Sequence, residues 1–304
     1  MNFKPSYHIF AMVSTLTWAM GFVFTRLALQ YFEAVSVAFL RYLLGSLVLL
    51  AVAIILKIKP PAREDWKWFV LCGMSGFAVY MTIFVLVSVT MNASTSSVII
   101  ATVPIFTALM AWIFYKEKLK PVQCAACGLE FLGIIVMALI SAQLDSNLGV
   151  PILLVGAILL AIYNITTRKL VKKYSPLQVT IYSMFVGTIG LAIWAPQAIS
   201  DIQSGIPPIG YFHIFILGVF SSSIGFVTWA LALKNTPKVS YVTNYMFITP
   251  FLTTMLGFWL ANEVPGLETI LGGALILSGL AIFNFHAEMA DFFKRFARVP
   301  DNSQ

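Results

Sequence analysis

Apolar residues run in blocks of about twenty, broken by short polar stretches. The blocks fall at about 8–30, 35–57, 67–89, 94–115, 120–141, 149–168, 176–196, 210–233, 239–261 and 266–286. At about 1.5 Å of rise per residue, a block of that length crosses the hydrocarbon core of a bilayer as a helix. The pattern predicts an all-α integral membrane protein with ten transmembrane helices. The connections are short, and the longest, around 197–209, has only a handful of polar residues. That leaves no room for a soluble catalytic domain. The first block is too long for the apolar part of a cleaved signal peptide and no small-x-small site follows it, so it is expected to remain as a helix.

Composition agrees with the pattern. Charged residues make up 10% of the chain, apolar residues 60%, and the mean hydropathy is +0.90, whereas a soluble domain carries about 25% charged residues. The net charge of +7 would suit nucleic acid, but its placement does not. With Lys4 on the cytoplasmic side, each even crossing returns the chain there. Those returns hold Lys57, Lys59, Arg63 and Lys67, then Lys116, Lys118 and Lys120, then Arg168, Lys169, Lys172 and Lys173, then Lys234 and Lys238, and finally Lys294, Arg295 and Arg298. The opposite loops hold Glu33, Asp145, Asp201 and Glu263, with no Lys or Arg. This is the positive-inside distribution. It predicts a multi-pass plasma-membrane protein (inner membrane in a bacterium) with both termini cytoplasmic, and no nucleic-acid partner. Only Arg26 and Arg41 fall outside the scheme, each within a helix.

The chain is written twice. TVPIFTALMAWIFYKEKL (102–119) aligns with ITPFLTTMLGFWLANEVP (248–265), pairing Pro104 with Pro250, Thr107 with Thr253 and Glu117 with Glu263 at an offset of 146 that extends to Gly133 and Gly279. Upstream, Thr25-Arg26 pairs with Thr167-Arg168 and Gly45 with Gly187 at an offset of 142. The repeat unit is five helices. Because five is odd, the second copy enters the membrane upside down. The expected division is residues 1–145, an inverted second repeat at 146–288, and a cytoplasmic tail at 289–304. Inverted repeats are typical of secondary transporters, which hold substrate near the midplane and rock one half against the other.

WAMGFVFTRLAL in the first helix, AFLRYLLG in the second, the P-x12-E-x15-G pattern after the fourth and ninth, and the duplication together resemble the EamA family of the drug/metabolite transporter superfamily. The resemblance spans about residues 8–286. It implies ten helices in two inverted halves, cytoplasmic termini and carriage of small metabolites. Members resembling this chain export amino acids or related metabolites; others import cofactors or exchange nucleotide sugars or phosphates.

Enzyme and metal chemistry find little support. There is no G-x4-GK[ST] loop and no H-E-x-x-H. His8, His213 and His286 lie at separate helix ends. Cys72, Cys124 and Cys127 sit near cytoplasmic ends, where disulfides are unfavoured. Cys124-x-x-Cys127 lacks a second pair or a nearby His, so neither a metal nor a cofactor is expected. Asn92-Ala93-Ser94 is a sequon that matters only in a eukaryotic source.

Two charged residues stand within helices at depth. Glu130 lies about eleven residues into the fifth helix, roughly 16 Å deep, with Ala126, Gly133 and Met137 on its face. Small residues mark close helix packing, so Glu130 is expected to face protein. Three readings stay open: a protonated structural carboxyl, a partner for an arginine, or a proton-coupling group. The matching face of the last helix runs Gly272, Ile276, Gly279. Arg41 lies in the second helix, and Ser183 takes its place in the second repeat. It either binds an anionic substrate group or serves as a structural counter-ion. The resemblance implies a basic residue in this region. Arg26, nearer a helix end, reads as snorkelling to the headgroups.

The resemblance further implies a cavity built by helices 1, 3, 4, 6, 8 and 9, with helices 5 and 10 at the bundle edge. Its polar and aromatic candidates for substrate binding are Trp18, Tyr80, Ser97, Tyr163, Asn164, Trp229, Asn244 and Tyr245, alongside Arg41. Amides and hydroxyls replace lost hydration, and aromatic faces hold an apolar body or a cation. Few core charges argue against phosphates and for a small zwitterion or amphipathic metabolite. Glu117 and Glu263 read as caps of the helices that follow them or as loop anchors. Pro104 and Pro250 read as kinks inside helices. The tail EMADFFKRFARVPDNSQ reads as an amphipathic surface helix.

The expected function is secondary transport of a small metabolite by alternating access, as an exporter of amino acids or related compounds. The alternatives are import of a nucleoside or of a cofactor such as S-adenosylmethionine, or a non-transporting membrane scaffold. The expected partners are the substrate, the bilayer, a proton for Glu130, and a second copy of the chain.

Overall fold

The computed structural model describes residues 6–90, 93–140, 149–261 and 267–296. Among them every regular element is helical and none is a strand. In chain order they are α1 (Tyr7–Ala28), α2 (Ala34–Ile55), α3 (Arg63–Ser88), α4 (Ala93–Ile100), α5 (Val103–Tyr115), α6 (Pro121–Ile140), α7 (Gly149–Leu170), α8 (Pro176–Gln203), α9 (Pro208–Asn235), α10 (three joined pieces, Val239–Thr243, Asn244–Ile248 and Thr249–Ala261) and α11 (Leu267–Phe296). Six of the described helices are long and apolar enough to cross a membrane: α1, α2, α3, α7, α8 and α9. Large apolar side chains point outward along them, with Ile54 69% and Ile193 70% exposed. Exposed apolar area on this scale is stable in lipid rather than in water. The chain is a multi-pass membrane protein.

Several helices are irregular in the middle. α3 widens into a π segment at Met74–Ala78 and α9 into another at Ile216–Ile224, starting 142 residues apart. A π turn leaves part of the usual hydrogen-bond ladder unmade and often marks a working position. The expected helix over 94–115 is divided by a turn at Ala101-Thr102 into α4 and α5. In α10 a 3₁₀ segment, Asn244–Ile248, takes the corresponding place. Pro104 and Pro250 therefore do not kink helix interiors. Each stands in the first turn after the break, where proline's missing N–H costs nothing and its fixed φ suits the helix.

α8 runs beyond the expected 196 to Gln203. It passes Pro196 by tightening into a 3₁₀ turn at Ala192–Trp194 and restarting at Ala195. α11 continues through a non-helical Phe285 into the expected tail. The side chains that would make that tail amphipathic lie outside the described residues, as do residues 297–304.

α1 packs on α9 and on the last piece of α10, and α7 packs on α3 and α5. α2 lies on the π segment of α9, and α8 on the π segment of α3. α6 and α11 form an extended pair at small residues. A Cβ added at Gly133 would come within 2.6 Å of the Gly272 carbonyl oxygen, and one at Gly279 within 2.9 Å of the Ala126 carbonyl oxygen. No larger side chain fits either position without moving backbone.

The ends are tied by polar contacts. At one end Lys173 Nζ pairs with Asp65 at 2.6 Å and Glu64 at 3.1 Å. The Ala62 N–H donates to the Tyr174 hydroxyl at 3.1 Å, and Lys169 stands 3.2 Å from the Trp68 ring centre. At the other end Asp201 accepts from the Glu33 N–H at 2.8 Å and from Gln197 Nε2 at 2.9 Å. Of its two expected readings, Glu117 takes that of a loop anchor. It does not cap the helix that follows it but reaches the start of α10, accepting from the Val239 N–H at 3.0 Å and the Ser240 hydroxyl at 3.1 Å. Its negative charge meets the positive end of that helix. Glu263 lies outside the described residues.

Candidate functional site

The α1, α2, α3 and α9 faces that meet in the centre carry bulky aromatics and few polar atoms. Where they fail to close, they leave a cavity of about 50 Å³, room for a few waters. Trp18 and Phe22 of α1, Arg41 and Tyr42 of α2, and Tyr80, Met81 and Phe84 of α3 form much of its wall. Ser221 and Phe226 of α9 and Met246 and Thr249 of α10 complete it, with smaller contributions from α4 and α7. α2 thus joins the wall beside the helices that the family resemblance implied.

Arg41 is the charged residue of this wall and is 3% exposed. Its Nε donates to Ser222 Oγ at 3.2 Å and its Nη2 to Ser221 Oγ at 2.9 Å. Nη1 reaches Thr25 Oγ1 at 3.5 Å and Met81 Sδ at 3.8 Å. The guanidinium also lies 5.3 Å from the Tyr42 ring centre. Every one of these partners is neutral. Among the described residues no carboxylate lies within ion-pair distance of Arg41. A buried cation normally requires a counter-charge.

Three further polar groups in the wall lack partners. The Trp18 indole N–H and the Tyr42 and Thr249 hydroxyls are buried with no hydrogen-bond partner. Trp18 is held by rings, 4.8 Å from Trp229 and 5.1 Å from Phe226 between centroids. Trp229 in turn donates its N–H to Asn164 Oδ1 at 2.8 Å, and Asn164 donates to Thr107 Oγ1 at 3.2 Å. This buried chain fixes the rotamer of the ring that supports Trp18.

Of the nine substrate-binding candidates, Trp18, Arg41 and Tyr80 line the cavity. Trp229 and Asn164 stand one layer behind it. Tyr163 is buried against Phe77 and Phe226, at ring distances of 5.4 and 5.6 Å. Ser97 is buried in α4. Asn244 and Tyr245 belong to a separate cluster, where Tyr245 hydrogen-bonds His8. Sequence reasoning passed over Tyr42, Thr25, Ser221, Ser222 and Phe226. The run Ser221-Ser222-Ser223 inside an apolar block was the available signal, since hydroxyls there need partners.

The separate cluster holds Glu130, which is fully buried. Its Oε1 accepts from Asn244 Nδ2 at 2.9 Å, while Oε2 has no partner. Asn244 Oδ1 accepts a weak bond from Cys127 Sγ at 3.6 Å. α11 presents Gly279 against the Glu130 side chain. Among the described residues no arginine pairs with Glu130. Arg26 is exposed in the last turn of α1.

The EamA-like transporter family matches residues 5–139 and again 147–285. A probable terminal-alkyne amino-acid exporter of Streptantibioticus cattleyicolor is 27% identical over 282 residues, covering 92% of this chain and 94% of its own. An S-adenosylmethionine uptake transporter of Rickettsia prowazekii is 25% identical, covering 91% of each. A solved crystal structure, 16% identical, superposes with a TM-score of 0.75 over 94% of this chain and 98% of its own.

Proposed function

Because the chain belongs to the EamA-like transporter family, we propose that it is a secondary transporter exporting amino acids or related small metabolites across the plasma membrane by alternating access. The observation that carries the substrate reading is Arg41, buried at the wall of a central cavity among neutral partners. A substrate carboxylate would supply the missing counter-charge. Trp18 and Tyr80 line the same cavity as Arg41 and would contact substrate. Asn164, Trp229, Tyr163 and Ser97 would position that wall from behind or beside it.

The carrier reading goes with ten crossings in two inverted halves, 1–145 and 146–288, with both termini cytoplasmic. α4 and α5 then count as one broken crossing. Three observations support the division. The π segments of α3 and α9 share an offset of 142. The breaks before Pro104 and Pro250 share one of 146. The close approaches of Gly133 to Gly272 and of Gly279 to Ala126 are reciprocal. In this orientation the Asp65–Lys173 contact lies on the cytoplasmic side.

Glu130 and Asn244 serve as the proton site in this reading. Asn244 begins the 3₁₀ segment that also carries Met246, a cavity residue. Protonation of Glu130 would change the bond to Asn244 and bias the break in α10.

The test is counterflow in proteoliposomes loaded with amino acids, nucleosides and S-adenosylmethionine, with labelled tracers outside. Accumulation of an amino-acid tracer is the expected outcome. Accumulation of only S-adenosylmethionine or a nucleoside would replace export by import. No counterflow in folded protein would overturn the reading for these substrates.

A further inference from the structure

The polar groups around the cavity are unequal in kind. Arg41 and the Trp18 indole are donors only, and the Trp18 N–H and Tyr42 O–H lack acceptors. The Ser221 and Ser222 hydroxyl oxygens already accept from Arg41. Among the described residues no Asp or Glu lines the cavity. The rest of the wall is aromatic or aliphatic apart from the Tyr80 hydroxyl and the Thr249 hydroxyl, which is buried without a partner. A ligand that completes this site brings acceptors and negative charge at one end and an apolar body at the other.

Resting on the cavity as the substrate site, we infer that this carrier recognises its substrate through the carboxylate alone, and that an α-amino group is tolerated but not required. The carboxylate takes Arg41 in a charge-assisted pair and gives the Trp18 N–H and the Tyr42 hydroxyl the acceptor they lack. An ammonium finds no described carboxylate in the wall and meets the positive charge of Arg41. The faces of Trp18, Tyr80 and Phe226 offer it cation–π attraction, and the Thr249 hydroxyl offers it one neutral acceptor but no charge. Apolar monocarboxylates without an amino group are therefore ligands of this site, while the matching amines are not.

The experiment measures ligand-induced thermal stabilisation of the purified full-length protein in detergent, where passive permeation of weak acids and amines does not interfere. The probes are phenylalanine, phenylpropionate and phenethylamine, and leucine, isocaproate and isoamylamine. The expected result is stabilisation by the amino acids and the deaminated acids at concentrations within roughly tenfold of each other. The amines should need at least about a hundredfold more, the loss of a charge-assisted pair. Arg41→Gln should remove the response to the acids and Arg41→Lys should retain part of it. Trp18→Phe, which keeps an aromatic face but loses the N–H with the five-membered ring, should weaken the acids several-fold.

Stabilisation by the amino acids alone overturns the inference and leaves the amino-acid reading standing. Stabilisation by the amines also overturns it. Stabilisation by the deaminated acids alone keeps the carboxylate as the recognised group, overturns the tolerance of an amino group and removes amino acids from the substrate list. No stabilisation by any probe defeats both. A variant with Arg41→Gln that binds the acids as well as the parent protein overturns the inference even if all the acids bind.

Discussion

Arg41 and Glu130 are both ionisable side chains buried in mid-helix, and their surroundings differ in kind. Arg41 is met by four neutral acceptors, and it adjoins open space lined by the unpaired Trp18 N–H and the unpaired Tyr42 and Thr249 hydroxyls. Glu130 is enclosed, with one oxygen bonded to Asn244, the other unbonded, and a glycine packed against its stem. Low dielectric makes an uncompensated charge costly in both places. The two are relieved by different routes. The guanidinium cannot give up its proton, so only an anion can balance its charge, and the cavity opens beside it. The carboxyl can take up a proton, and its enclosure leaves room for little else. In the proposed reading, space beside the charge separates a ligand site from a proton site, and spacing along one helix does not reveal that space.

The largest test of this contrast is Glu130→Gln. Glutamine keeps the shape and can still accept from Asn244, but it cannot titrate. In proteoliposomes with an imposed pH gradient, acceleration of tracer flux over the gradient-free rate should fall at least about tenfold toward nothing, the scale of one lost proton-transfer group. Counterflow without a gradient should persist. An unchanged response to the gradient would assign Glu130 to packing. Next in size is Asn244→Leu, which removes the one described partner of the carboxyl. A buried acceptor left unsatisfied costs about 1–3 kcal/mol, read as a lower Tm in detergent. The double variant with Glu130→Leu should recover part of that loss, because no polar group is then left stranded. A single variant as stable as the parent would show that Asn244 is not what satisfies Glu130.

Much of the fold was legible because lipid imposes helices of known length. Positions such as Ala34–Ile55 follow directly from apolar block length and the residue at the start. The breaks did not follow. A proline inside an apolar run reads equally as a kink or as a first turn, and only the neighbouring helices decide. Glu117 illustrates the same gap. Its spacing fitted a cap for the next helix, but the start of α10 lies closer in space. At the cavity, Trp18, Arg41 and Tyr80 stood out as polar or aromatic residues at mid-helix depth. Tyr42 and Ser221 did not, because their role comes from what α2 and α9 bring together. The partners of Asn164 and Asn244, Trp229 and Glu130, come from distant helices.

The smallest effect belongs to charges that remain in water. The Asp65 carboxyl is held below the usual carboxylate range by hydrogen bonds from Lys173 and then Tyr174. The folded chain thus favours the ionised form. Its stabilisation is present above the pKa of a free carboxyl and is lost as pH falls through the lowered value. Asp65→Asn should lower Tm slightly at neutral pH, with the gap closing in acid, where the parent carboxyl is protonated as well. High salt should also narrow it, because exposed pairs are screened. A gap that widened in acid would contradict the assignment of the effect to this carboxylate. A small Tm change accompanied by a large change in counterflow rate would have a different meaning. It would move the Asp65–Lys173 contact from a static tie to a barrier that must open in each transport cycle, and so bring a surface pair into the same functional rank as Arg41 and Glu130.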